Sequence, residues 1–141
     1  MLIATLILLT LTGAAIFAAP LRCKAWVALA FVVLFALGGT AAAVGARAGI
    51  LPPAGLSLPT LLFGEESLRM DALSALFTLL VAAGSVAAAL YAKGYVARYL
   101  DRKPAAHISL HYFAFTLLSL SMTAVVTASG GYTFLFWWEL M

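Results

Sequence analysis

Four stretches of this chain, residues 2–19, 25–45, 72–92 and 108–128, run for 18 to 21 residues with no Asp, Glu, Lys or Arg. The only ionisable imidazole among them is His111. A hydrocarbon core of roughly 30 Å needs about 20 apolar residues of helix. Lipid offers no partner to a free backbone amide, so each run is expected to be a helix. A fifth apolar run begins near Gly131, carries Tyr132, Phe134, Phe136, Trp137 and Trp138, and reaches Met141. The expected fold class is an all-α polytopic membrane protein, with four transmembrane helices plus the start of a fifth in a single membrane domain over residues 1–141. Composition excludes the alternatives. The chain is 65% hydrophobic and 9% charged, where a soluble domain has roughly 45–50% apolar and about 25% charged residues. A soluble enzyme domain, a disordered chain and a nucleic-acid binder are thereby set aside. Cys23 is the single cysteine, which leaves no internal disulfide and no Cys-rich metal site.

The first run has no basic flank ahead of it and exceeds the roughly 7–15 apolar residues of a leader, so it reads as a span. Orientation comes from the loops. Arg22 and Lys24 follow the first span, and Lys93, Arg98, Arg102 and Lys103 follow the third; only Arg47 and Arg69 lie in the intervening 46–71 loop. Short basic loops stay on the cytoplasmic side. Loops 20–24 and 93–106 are therefore expected inside, with the N-terminus and the Ser129–Tyr132 turn outside. The expected location is the inner (cytoplasmic) membrane.

The 46–71 loop departs from the rest in composition. Pro52, Pro53 and Pro59 precede Leu61-Leu62-Phe63, then a Gly64-Glu65-Glu66 break, then Ser67-Leu68-Arg69-Met70. Apolar runs flanking a Gly-containing turn predict a short outer β-hairpin lying over the helix ends, between the second and third spans. Asp71, with Ser74 three residues on, is placed to cap the third helix and offset its N-terminal dipole; an ion-uptake role is the other reading. At the inner end, Tyr91, Tyr95 and Tyr99 mingle with basic residues as interfacial anchors do. His107 and His111, four apart, share a helix face, but two imidazoles fall short of the usual ligand set for zinc.

Glu139 is the informative residue. With a fifth helix starting near Gly131, eight residues carry it roughly 12 Å into the membrane. No Lys or Arg lies within a turn of it, and its neighbours on the same face are Tyr132, Leu135 and Phe136. Intramembrane carboxyls commonly serve proton relays or ion paths. The alternative is a side chain near a helix end that reaches back to water. Residues 131–141 make only about 16 Å of helix. An end at that depth would strand carbonyls in lipid, so the chain is expected to be the N-terminal portion of a larger subunit, or to be completed by a second chain.

The stretches MDALSALFTLLVAAGS (70–85), YAKGYVARYLDRK (91–103) and HYFAFTLLSLSMTAVVTASGGYTFLFWWELM (111–141) resemble a known family. It is that of the antiporter-like, proton-translocating membrane subunits of respiratory complex I, of Mrp-type multi-subunit cation/proton antiporters, and of membrane-bound hydrogenases of the formate hydrogenlyase type. The hydrogenase-type branch looks most similar. The resemblance implies a larger subunit that moves protons while partner subunits transfer electrons. It implies Glu139 as the proton-transfer carboxylate, paired in the family with a lysine of a later span; Lys93, expected in the inner loop, cannot take that part. No catalytic or redox site and no metal belong to this chain on that reading. Redox cofactors belong to the partner subunits of the NADH-quinone oxidoreductase or hydrogenase type. The implied partners are the lipid bilayer, the other membrane subunits and the remainder of its own fold.

Two other readings compete. Compact four-span multidrug exporters carry a buried Glu in their first helix, whereas the first four runs here contain no carboxylate. A non-transporting structural or split-gene piece, packed in a membrane complex through small residues such as Ala14-Ala15, Gly38-Gly39 and Ala87–Ala89, is the second.

Overall fold

The computed structural model describes residues 2–48, 56–60 and 64–141; the side chains of residues 2–9, 46, 56–60 and 64–68 lie outside what is described. Five helices follow in order: α1 (Leu2–Ala18), α2 (Lys24–Arg47), α3 (Ala72–Ala97), α4 (Ala105–Thr127) and α5 (Gly131–Leu140). Short connections reverse the chain between α1 and α2, between α3 and α4, and between α4 and α5. As a result α1 ends, α2 begins, α3 ends and α4 begins at one end of the bundle. Arg22, Lys24, Lys93, Arg98, Arg102 and Lys103 all belong to that basic end, and Arg47 and Arg69 to the opposite end.

The helices pack through small residues. Ala28, Val32, Ala36 and Ala43 of α2 and Ala75, Thr78, Ala82 and Ala89 of α3 are buried, at the three- and four-residue spacings of a single helix face. Lipid supplies no hydrophobic drive between helices, so close backbone approach and dense contact hold such a pair. At Gly39 the two helices approach closely: a Cβ there would stand 3.2 Å from the Thr78 methyl. Helix α4 is the centre of the bundle and touches each of the other four. Its buried face is rich in hydroxyls, yet none is stranded. Ser109 donates to the Ala105 carbonyl, Thr116 to Phe113, Ser119 to Phe115 and Ser121 to Leu118, at 2.8–3.0 Å. Bonding back to its own helix lets a small polar side chain sit inside an apolar bundle. At the basic end Ile16, Ala28, Val96, Ile108 and Tyr112 form a core cluster that ties α1 through α4 together.

Three corrections to the expected fold follow. Among the described residues, three helices are long and apolar enough to cross a membrane: α2 over Lys24–Gly45, α3 and α4. The expected four transmembrane helices plus the start of a fifth reduce to that number. Helix α1, at 17 residues, gives about 26 Å of helix against a core of roughly 30 Å, and α5, at ten residues, gives about 15 Å.

The predicted hairpin is also corrected. Its turn was assigned to Gly64-Glu65-Glu66, but these residues lie inside a strand, β2 (Gly64–Leu68), paired antiparallel with β1 (Leu56–Thr60). The register sets Leu56 opposite Leu68, Pro59 opposite Glu65 and Thr60 opposite Gly64. Pro52, Pro53 and Leu61-Leu62-Phe63, the last predicted as a strand run, lie outside the described residues. In a two-stranded ladder each strand has a free edge, so proline is tolerated and a polar Gly-Glu-Glu run can pair. Just beyond β2, the Arg69 N–H donates to the Thr127 carbonyl at 2.7 Å, fastening this segment to the corner between α4 and α5.

The third correction concerns two lysines assigned to loops. Lys24 is the first residue of α2, and Lys93 lies in the last two turns of α3. The Lys93 ammonium sits 3.5 Å from the centre of the Trp26 ring, a cation–π contact between α3 and α2.

Candidate functional site: the outward face of the fifth helix

Helix α5 folds back along α4 after the turn at 128–130. Gly130 precedes it in an extended conformation, with no capping side chain bonded to the first turn. One residue, Trp137, is buried, at 7% exposure. It anchors one side of α5 to the bundle. Glu139 lies about eight residues from the start of the helix, roughly 12 Å along its axis. Its side chain is exposed, beside exposed Tyr132, Leu135 and Phe136 on the same face.

The expected helix is observed, with Glu139 in its last turn, but the chain's own helices do not enclose the carboxyl. The face it occupies is a strip of large apolar side chains interrupted by a single acid. A charged side chain turned toward lipid near the bilayer centre costs on the order of 2.5–3.5 kcal/mol on insertion scales. A face of this kind is stable with the acid neutral, with water reaching it, or with another polypeptide covering it and supplying a partner.

The remaining candidates scatter. Asp71 caps α3: its carboxylate accepts from the Ser74 N–H at 2.6 Å. That N–H foremost, and then the Ser74 hydroxyl, hold the Asp71 carboxyl below the usual range, with smaller help from the Leu73 N–H and from Arg69; partial desolvation acts the other way. The geometry is that of the cap predicted from Asp-x-x-Ser, at the end of the bundle opposite the basic loops. Tyr91, Tyr95 and Tyr99 form a ladder at the basic end, with ring centres 6.0 Å and 5.3 Å apart. The Tyr99 hydroxyl donates to Tyr95 at 3.4 Å, and this bond raises the Tyr99 phenol above its ordinary range. His107 and His111 are both exposed on the first turns of α4. Among the described residues, no third His, Cys, Asp or Glu joins them in a metal-holding group. Cys23 is exposed in the turn before α2.

Sequence reasoning missed the role of Lys24. Counted as a loop cation, it is 3% exposed, and its ammonium donates to the Ile16 carbonyl at 2.7 Å and the Phe17 carbonyl at 3.2 Å. These are terminal carbonyls of α1, which have no helical donor of their own. A cation there also meets the negative end of the helix dipole. The available signal was a lysine a few residues beyond an apolar helix that lacks a basic last turn.

Comparison with known protein families, with curated proteins and with solved structures finds no match to this chain. The fold itself defines a class: with three helices long and apolar enough to cross a membrane, it is a multi-pass helical membrane protein.

Proposed function

We propose that this chain is the N-terminal part of a proton-translocating membrane subunit in a redox-driven complex, with Glu139 as the proton-transfer carboxylate. The observation that carries the reading is the single acid in the last turn of α5, on its exposed, largely apolar face. A face of that composition is suited to a neighbouring membrane element that brings a cation to the acid. Approach of the cation stabilises the carboxylate and releases the proton; its withdrawal leaves a charge in an apolar setting, which is relieved by taking a proton up. Electron transfer and its cofactors reside on partner subunits in this reading. The basic loops face the cytoplasm, following the charge asymmetry of the two ends. The resemblance of residues 70–141 to antiporter-like subunits supports the same assignment, and an Mrp-type cation/proton antiporter subunit is a variant of it.

The test is Glu139→Gln in membranes containing the whole complex, with proton uptake into inverted vesicles measured alongside electron transfer. Loss of uptake at retained assembly is the expected result. Undiminished uptake removes Glu139 from the path and with it the transport reading.

A second reading, a structural piece packed in a membrane complex, is favoured by the breadth of apolar exposure. Leu34 and Leu37 of α2, Leu73, Leu76 and Leu80 of α3, and Leu135 and Phe136 of α5 all face outward. In that case Glu139→Gln changes subunit assembly and leaves uptake per assembled complex unaltered.

A further inference from the structure

At the basic end, a groove of about 270 Å³ opens between the end of α3 and the start of α4. Its floor is apolar, formed by Val96 and Ile108, both buried. Its rim is polar and cationic: Tyr95 and Tyr99 on one side, Lys103, His107 and His111 on the other. We propose that this groove binds an anionic phospholipid, with the phosphate at Lys103 and His107 and the upper acyl chain laid over Val96 and Ile108.

The charge balance fits an anion. The 98–104 connection and the first turns of α4 carry Arg98, Arg102 and Lys103 against the single carboxylate of Asp101, with two imidazoles in addition. The connection is held in shape by Arg102 N–H and Lys103 N–H, which both donate to the Tyr99 carbonyl at 3.0 Å. Lys103 is thereby kept beside the tyrosines. Helix α4 starts behind Pro104 with no side chain capping it, so the positive end of its dipole faces the same region. Because Tyr99 donates its hydroxyl proton to Tyr95, the Tyr95 hydroxyl retains its own proton for an acceptor.

Position selects a lipid over a soluble anion. Helix α3 has 26 residues, about 39 Å, which exceeds a core of roughly 30 Å, so its last turns stand at headgroup level. Tyr95 and Val96 belong to those turns. Beneath the polar rim of Lys103 and His107 lies the apolar floor of Val96 and Ile108, the order in which a headgroup and its glycerol-linked chains follow. A free phosphate would satisfy the rim and leave the floor unoccupied.

The experiment uses the full chain, purified in mild detergent and moved into nanodiscs of phosphatidylcholine alone or with phosphatidylglycerol added, followed by native mass spectrometry of retained lipid. Wild type is expected to retain phosphatidylglycerol over phosphatidylcholine by about fivefold or more, roughly the effect of one cation close to an anionic headgroup. Lys103→Gln is expected to remove most of that preference, and Arg47→Gln, at the opposite end, to leave it intact. Ile108→Trp, which fills the floor without altering charge, is expected to lower retention; melting temperatures of all variants separate this from misfolding. Equal retention of the two lipids by wild type overturns the proposal. So does retention that survives Ile108→Trp in a folded protein, or displacement of the lipid by millimolar inorganic phosphate, which would assign the rim to a soluble anion.

Discussion

Replacing Lys24 with methionine keeps the length and apolar stem of the side chain while removing its ammonium. Two carbonyls of α1, those of Ile16 and Phe17, then lose their donor. Hydrogen bonds to a charged group contribute roughly 1.5–3 kcal/mol each, and a cation at a helix C-terminus roughly 0.3–1 kcal/mol more. The two bonds share one ammonium and so do not add fully. Against the gain stands the cost of keeping that ammonium at 3% exposure, because a buried charge can be replaced by an apolar group with little loss. The site is polar enough to tip the balance: two carbonyl dipoles point at the ammonium, and a methionine thioether satisfies neither. The expected destabilisation is about 2–4 kcal/mol, concentrated at the α1–α2 corner. Equilibrium unfolding of the purified chain in mild detergent with added SDS, followed by near-UV circular dichroism, measures it. Arg22→Met, at an exposed position two residues earlier, is the control and should stay within about 0.5 kcal/mol. A Lys24→Met protein as stable as wild type would refute the capping argument, and the buried ammonium would then be a tolerated charge that seals nothing.

Other expectations follow from single contacts. Gly39→Leu places a branched side chain where a Cβ alone meets the Thr78 methyl at 3.2 Å; overpacking of the α2–α3 seam should destabilise by about 1–3 kcal/mol. Gly38→Ala, with nothing within 4 Å of the added Cβ, should be neutral or stabilising by up to about 1 kcal/mol through helix propensity, and the same SDS titration compares the two. The Asp71 cap is pH-dependent with a defined sign. Its folded-state carboxyl is held below the unfolded value, so the stabilisation is complete above the unfolded value of about 4 and is lost as pH falls through the lower folded value. Hydrogen-exchange protection at the first turn of α3, taken relative to the intrinsic exchange rate at each pH, should therefore fall in acid in wild type; an equal fall in Asp71→Ala would assign it to another group.

Helix positions were legible wherever one physical rule acted alone. The charge-free runs 25–45, 72–92 and 108–128 lie within or overlap nearly all of α2, α3 and α4, because a long apolar run with no competing turn chemistry can satisfy its backbone in lipid only as helix. The helix ends were less legible. Helix α3 continues through Lys93 to Ala97, since hydropathy marks where lipid stops, whereas the ladder of helical hydrogen bonds continues into water as long as propensity allows. The Gly64-Glu65-Glu66 run looked like a turn because its composition is that of turns, but it pairs with β1, and composition does not encode which residues of a hairpin take the strand positions.

The candidate site divides along the same line. That an acid stands about eight residues into the last helix, with aromatic and aliphatic neighbours at helical spacing, is a property of the linear chain, because helical rise and periodicity are constants. Which side of that helix meets the bundle is not, and packing decided it, with Trp137 buried and Glu139 left outward. The same holds for Lys24: as a letter in the sequence it is one more cation in a short loop. Only the meeting of two helix ends brings Ile16 and Phe17 carbonyls to its ammonium. Local rules determine what each segment is; which faces are covered depends on contacts between residues far apart in sequence, whose energies exist only once the helices have packed.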